Sequence, residues 1–458
     1  MTTIIPHSAF RTPHSPTPTT RRAFLQTLGA ATAAAVAAPF VTRNLLAAPP
    51  SQRLRHACFG IGSQGTQDLQ QISACDNVDI VAICDVDLTH MTKARETFPN
   101  ARFYQDWREL LDKEHRNLDS INVSTPDHMH APIAVSAMQL GKHTFCQKPL
   151  AHSLHEVRRM TELARSQKLV TQMCIQIHSS AYYRLGVQLI RDGAIGKVKE
   201  VHSWCYKSWG DMTEKPDRSD PVPPELAWDL WLGVRDARPY IADKYYHPAN
   251  WRKRLDFGTG TLGDMACHIF DPVFESLSLA SPIAVRSEGP RPNNYNWALN
   301  AKVIYTFDGT PFTAAKTLTL TWYDGTQRPP PEVVALLEGK ELPNNGSLFI
   351  GTKGVMLLPH IETPTLYPAA QFTDYQKPKV RGANHWKQFT EAIRGTDKTT
   401  TPFDYAGPLT EAVLLGGVAA RFPRQPLRWD TRALKFDHSP ANQYVRRDYR
   451  EGWKIKGL

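Results

Sequence analysis

The run Gly60-Ile61-Gly62-Ser63-Gln64-Gly65 constrains this chain more than any other stretch. A strand-like segment, Arg55 to Phe59, leads straight into it, and Thr66 to Ser73 follows with helical spacing at Leu69 and Ile72. A second strand pattern, Val78 to Cys84, ends on Asp85. In that order each glycine has a physical role. Gly60 permits a tight turn, Gly62 lets backbone approach a pyrophosphate, and Gly65 lets the helix pack closely. The phosphates belong at the helix N-terminus, against the backbone of Ile61, Ser63 and Gln64. Asp85 stands about twenty residues past Gly65, where a carboxylate at a strand tip binds ribose hydroxyls and repels a 2′-phosphate. The stretch predicts a dinucleotide site that takes NAD in preference to NADP.

The sequence around it supports that reading. From Leu54 to Ile175, apolar strand-like runs (Ser120 to Val123, His143 to Cys146, Val170 to Ile175) alternate with helical patterns (Asp106 to Asp112, Ala131 to Leu140, Leu154 to Ser166). This is the pattern of a doubly wound parallel sheet, an α/β Rossmann domain over residues 53–178. Ligands in such sheets bind at the carboxyl ends of strands, where Ser124-Thr125-Pro126 and Gln147-Lys148-Pro149 stand. Beyond Ser179 the chain becomes aromatic and Pro-rich, with strand patterns at Val198 to Tyr206, Ala301 to Phe307 and Pro311 to Trp322. Residues 179–458 therefore read as an α+β domain built on a largely antiparallel sheet with helices on one side.

Ahead of both domains lies a leader, residues 1–48. Its first twenty residues are polar and cannot bury a face. Thr20-Arg21-Arg22-Ala23-Phe24-Leu25-Gln26 and the Ala-rich stretch to Phe40 resemble a twin-arginine export signal, with cleavage near Ala47 or Ala48. A membrane anchor would need about 20 apolar residues, and Gln26, Thr27, Gly29, Thr32 and Pro39 interrupt the span. The expected location is the periplasm or another exported compartment, with the twin-arginine machinery as a partner. The formal charge is +10, but Lys and Arg are scattered rather than clustered, which argues against nucleic acid. The seven cysteines show no C-x-x-C pair and no metal-ligand spacing. His128 and His130 have no carboxylate or Cys at ligand spacing, so no metal is expected and both are placed at the edge of the ligand pocket.

Taken together, Gly60 to Gly65, Ser124 to His128, Gly141 to Pro149 and Gly263 to His268 resemble the Gfo/Idh/MocA family, the glucose-fructose oxidoreductases, inositol dehydrogenases and related sugar dehydrogenases. Trp228 to Gly233 and Asn250-Trp251-Arg252 are similar to its exported bacterial branch. The resemblance implies that Lys148 positions a reacting hydroxyl near the nicotinamide, with Gln147 standing where the family has Glu. It also implies that His268 is the base and that Asp264 orients the imidazole or the substrate, and it makes a homo-oligomer expected. The spacing alone favours the plainer reading, Asp264 as a helix cap and His268 as a core histidine, and it is the resemblance that reverses it. Ser124, Thr125, Pro126, His128, Gln147 and Lys148 are placed around the cofactor. Tyr245, His247, Trp251 and Arg252, with Tyr246, form an aromatic and basic cluster suited either to a sugar or to a core.

Three readings follow. The first is an exported NAD-dependent oxidoreductase that moves hydride between a captive cofactor and a hydroxyl of a sugar or cyclitol. In the second, the same oxidation is followed by elimination and re-reduction, so that a glycoside is cleaved without net redox change. The third is a sugar-binding protein that keeps the fold without the chemistry.

Overall fold

The computed structural model describes residues 53–458. The leader, with Arg21, Arg22 and the cleavage region at Ala47 and Ala48, lies outside the described residues.

The first sheet is six-stranded and wholly parallel, in the order β3-β2-β1-β4-β5-β6. Its strands are β1 (Leu54–Phe59), β2 (Val78–Cys84), β3 (Arg102–Tyr104), β4 (Ser120–Val123), β5 (His143–Gln147) and β6 (Thr171–Cys174). Helices α1 (Gln64–Ser73), α2 (Leu88–Thr97), α3 (Trp107–Glu114), α4 (His130–Gln139) and α5 (Leu154–Ser166) connect them. The order reverses between β1 and β4, which opens a crevice at the carboxyl ends of those two strands. Local chemistry fixes the helix starts. Asp87 and Asp106 accept the N–H groups of Thr89 and Arg108, and Ser153 with Glu156 forms a capping box. The interior strands are buried on both faces, β4 along its whole length, as a sheet covered by helices requires.

After α6 (Ala181–Arg191) comes the second sheet, nine-stranded, in the order β13-β12-β11-β7-β10-β9-β8-β14-β15. Its strands are β7 (Val198–Cys205), β8 (Ala284–Ser287), β9 (Lys302–Asp308), β10 (Thr317–Asp324), β11 (Asn345–Gly351), β12 (Val355–Pro359), β13 (Thr365–Tyr367), β14 (Leu427–Asp430) and β15 (Lys435–Phe436). Only the β7–β10 pair is parallel, so the sheet is largely antiparallel as expected. The strand expected from Pro311 begins only at Thr317. Residues 309–316 instead form the turn between β9 and β10, closed by the Gly309 N–H on the Lys316 carbonyl and by Thr310 and Thr313.

Helices α7 (Trp228–Leu232), α8 (Cys267–Leu277), α9 (His385–Ile393) and α10 (Phe403–Ala419) complete the main elements. α10 is apolar around nearly its whole circumference and is buried accordingly. It packs on α5 and β6 of the first sheet and on β8 and β9 of the second, so a single helix serves both cores. Gly416 makes this approach possible, because a Cβ there would lie 2.0 Å from the Tyr305 hydroxyl. All seven cysteines are free and buried, in line with their role as small core residues.

Candidate active site

A cavity of about 610 Å³ runs from the glycine turn to the start of α8. At the turn, Gly60 has φ +80° and lies so close to β4 that a Cβ would sit 2.7 Å from the Ser124 carbonyl. A Cβ on Gly65 would lie 2.2 Å from the Gly60 carbonyl. The two glycines therefore let the turn, α1 and β4 close on one another. Gly62, Ser63 and Gln64 line the cavity, while the Ile61 side chain is buried behind the turn.

Asp85 also lines the cavity and braces the turn. Its Oδ2 accepts the Ile61 N–H at 2.8 Å and lies 3.1 Å from His90 Nδ1, and its Oδ1 accepts the Asp87 N–H at 2.9 Å. A carboxylate offers about four acceptor positions, so one remains for a ribose hydroxyl. This arrangement, with the glycine cradle, fits the adenosine and diphosphate of NAD. His90, Asp87 and His247 gather beside it, with His247 Nε2 2.9 Å from Asp87 Oδ2 and their ligand atoms all within 4.8 Å of one another. The hydrogen bond to Asp85 raises the His90 pKa above its ordinary value. Burial alone would raise that of Asp87, but hydrogen bonds from Thr89 and His247 carry it below.

At the far end, β5 delivers Gln147 and Lys148, and the helix entering from residue 262 delivers Asp264 and His268. That helix begins with a π-turn, Leu262–Ala266, before α8, where a plain i, i+4 pair on an α-helix was expected. Gly263 allows the widened turn, since a Cβ there would lie 1.5 Å from Thr259 Oγ1. π-turns of this kind are frequent at functional sites. Lys148 Nζ donates to the Asp264 carbonyl at 2.6 Å and to its Oδ1 at 2.9 Å. Arg252 Nε reaches the same Oδ1 at 3.3 Å, while Oδ2 takes Trp209 Nε1 at 2.8 Å and Lys207 Nζ at 3.3 Å. Burial pushes the Asp264 carboxyl upward, but Lys148, Arg252 and Lys207 outweigh it and hold the group ionised, well below the ordinary range. Asp264 therefore gathers charge and caps no helix.

His268 is buried against the cavity, and its Nδ1 has no hydrogen-bond partner among the described residues. Burial, then the Lys148 charge and His360, push its pKa well below 6.5, so the ring is neutral at pH 7. His360 lines the same wall, its Nδ1 2.6 Å from the Tyr183 hydroxyl, with a pKa lowered by burial to about 4.

Gln147 does not act on Lys148 as a carboxylate would. Its Nε2 donates at 2.8 Å to Oδ2 of Asp68, a buried residue of α1. Asp68 also accepts from Ser124 Oγ at 2.7 Å and Trp386 Nε1 at 2.9 Å. Burial raises its pKa against those hydrogen bonds.

Four residues placed at the site from sequence do not line the cavity: Ile61 and Gly65, which lie behind the turn, and His128 and Tyr245. His128 is turned into the core, its Nε2 3.1 Å from the Trp231 carbonyl and its ring on Phe257, and burial lowers its pKa to about 3. Tyr245 lies in an aromatic cluster under Arg254, whose guanidinium is 3.6 Å from the ring centroid. His130, in contrast, does line the cavity and lies 2.8 Å from both the Thr125 and Pro149 carbonyls. Ser124, Thr125, Pro126, His247, Trp251 and Arg252 line it too. Sequence reasoning missed Asp68, Lys207, Trp209 and His360. Lys207 carried a signal, since it follows the strand pattern Val198 to Tyr206, whereas no strand was read ahead of His360, which directly follows β12.

Comparison with known proteins agrees with this fold. Residues 54–174 match the model of the oxidoreductase family with an NAD-binding Rossmann fold, and residues 194–455 match that of the same family's C-terminal alpha/beta domain. A levoglucosan dehydrogenase from Pseudarthrobacter phenanthrenivorans is 25% identical over 192 residues, 42% of this chain and 40% of that protein. An alpha-N-acetylgalactosaminidase from Shewanella oneidensis is 30% identical over 207 residues, 39% of this chain and 44% of that protein. The matches thus span less than half the length of these curated relatives. Among solved structures, the WlbA dehydrogenase from Bordetella pertussis, crystallised with NADH and UDP-GlcNAcA, superposes with a TM-score of 0.58 at 15% identity, over 83% of this chain and 99% of its own. The glycine turn, the six-stranded parallel sheet and the two matched regions place this chain in the Gfo/Idh/MocA family of NAD-binding oxidoreductases.

Proposed function

We propose that this protein is an exported NAD-dependent oxidoreductase that moves hydride between a tightly held cofactor and a hydroxyl of a sugar or cyclitol. The observation that carries the reading is the ammonium of Lys148 fixed on Asp264, beside the neutral His268, in one cavity with the glycine turn. NAD held by that turn and Asp85 supplies the hydride acceptor when bound. The protein's own task is then to orient one hydroxyl and to take its proton. Lys148 is immobilised by two hydrogen bonds to Asp264, so its remaining N–H is aimed without further loss of side-chain freedom. His268 arrives unprotonated, which a proton acceptor requires. Export rests on Arg21, Arg22 and the weakly apolar stretch after them. A cofactor that dissociated outside the cytoplasm would be lost, so the reaction should close its own redox cycle.

The relatives favour one alternative closure. An alpha-N-acetylgalactosaminidase and glycosyl hydrolase family 109 proteins stand among them, so glycoside cleavage through transient oxidation is the second reading.

Both readings require captive NAD and an active Lys148. Denaturing the purified protein should release close to one NAD per chain, and Lys148→Met should keep the nucleotide while losing at least about a thousandfold in turnover of sugars. A chain that neither releases nor binds NAD would sink both. Products separate them: a ketosugar or a reduced second substrate marks the first, and a cleaved glycoside with no net NADH marks the second.

A further inference from the structure

The substrate end of the cavity carries more positive charge than its one saturated carboxylate can match. Lys148, Lys207 and Arg252 all converge on Asp264. Its two oxygens already accept four donors, two at Oδ1 and two at Oδ2, which fills the capacity of a carboxylate. The other acid on this wall, Asp127, is buried and turned to the Thr259 N–H and hydroxyl. His268 and His360 add no negative charge. Even with Asp127 ionised, three cations face two carboxylates.

The surplus donors are specific ones. Arg252 uses only Nε on Asp264, and neither of its η nitrogens has a protein acceptor among the described residues. The guanidinium carbon stands over the Trp251 ring, 4.3 Å from its centroid, and 5.7 Å from the centroid of Trp209, contacts that restrain the side chain without using its η nitrogens. Among the described residues the Lys207 ammonium pairs only with Asp264, and 40% of the side chain is open. A planar guanidinium fork beside an ammonium, in a partly desolvated pocket, is the arrangement that recognises a carboxylate or a comparable oxyanion.

We infer that the substrate is an acidic sugar, whose anionic substituent (a uronate carboxylate or a sulfate ester) is held by Arg252 and Lys207 while Lys148 takes the reacting hydroxyl. The inference rests on the sugar-oxidoreductase reading above and narrows it. A neutral sugar would leave the fork bonded only to hydroxyls or water and the surplus charge uncompensated in a partly desolvated site. An anion neutralises the surplus and also opposes the positive charge of an oxidised nicotinamide.

The test uses the NAD-loaded protein and matched probes: D-glucuronate, D-galacturonate and D-mannuronate, the corresponding 6-sulfated hexoses, and the three parent hexoses. Binding is followed by the fluorescence of Trp209 and Trp251 and by hydride transfer at 340 nm. At least one acidic sugar should bind about ten- to a hundredfold more tightly than its neutral parent. A planar carboxylate outperforming its sulfate counterpart, or the reverse, identifies the anion. The preference should fall to near parity in Arg252→Gln and in Lys207→Gln, the second of which alters a half-exposed side chain and should not disturb folding. It should also shrink as NaCl rises from about 50 mM to about 500 mM. Neutral hexoses oxidised as well as every acidic one would overturn this inference and leave the oxidoreductase reading standing, and an acidic preference that survives both substitutions would overturn the assignment of the fork. No binding or turnover of any sugar by NAD-loaded protein would overturn the inference together with the sugar reading.

Discussion

Gln147 and Asp68 form one buried amide–carboxylate pair next to Lys148. The family's Glu would put an acid beside Lys148. Here the acid stands one layer deeper, on α1, and the amide of Gln147 donates to it. Gln147→Glu would place two carboxylates in one buried site, where like charges cannot both ionise. We expect it to cost about 1–3 kcal/mol at pH 7, and the double variant Asp68→Asn with Gln147→Glu to recover most of that loss by exchanging donor and acceptor. Urea denaturation of both single variants and the double would decide, and a Gln147→Glu protein as stable as the parent at pH 7 would refute the pairing. Residues at this scale were only partly legible. Lys148, Asp264 and His268, each singled out from a short motif, do line one cavity. Asp68, Lys207, Trp209 and His360 come from separate segments that meet only through the tertiary fold, and His128 was misplaced because a histidine next to a strand end gives no sign of which way its ring turns.

At the scale of elements, the turn after β1 was read correctly because backbone geometry writes itself into sequence as glycine. Gly65→Ala tests how tightly the turn, α1 and β4 are closed. The added methyl would meet the Gly60 carbonyl, which is backbone and cannot swing aside. The expected result is a loss of about 1–3 kcal/mol in stability and a weakening of NAD binding of at least about tenfold, read by thermal unfolding and by titration with NAD. Normal NAD affinity in a folded Gly65→Ala protein would show that the turn has slack. Five strands of the first sheet and α5 were legible for a related reason, whereas the short, partly exposed β3 was not read. Buried strands are short apolar runs, and Ser153 and Glu156 mark the start of α5 in the sequence itself. The π-turn at Leu262–Ala266 was not legible, because a single widened turn leaves the apolar period of the following helix intact. The start of β10 was misjudged because Pro311 and Phe312 are apolar yet belong to a turn held by threonine hydroxyls.

Over the whole molecule, a group of buried histidines dominates the expected response to acid. Burial lowers the pKa of His56, His143 and His360 to about 4, and of His128 and His385 to about 3. The unfolded chain takes up protons at these positions below about pH 6.5, whereas the folded chain does not until about pH 4. Their contribution is therefore complete above pH 6.5 and is lost as pH falls toward 4, at up to about 1.4 kcal/mol per pH unit for each ring. The depressed carboxyl of Asp264 acts in the same direction at still lower pH. The urea midpoint should drop steeply between about pH 6.5 and about pH 5, and a level midpoint across that interval would contradict the burial of these rings. The division into a parallel and a largely antiparallel sheet was visible in the alternation of patterns along the chain. The way the two sheets are joined was not, since it depends on α10, whose all-round apolarity says that it is buried but not between what. That helix has a mechanical consequence. Because the same seventeen residues fill the interior beneath both sheets, the two halves cannot swing apart as jaws without tearing a common core. A force or denaturant that loosens either sheet should therefore bring down the other with it.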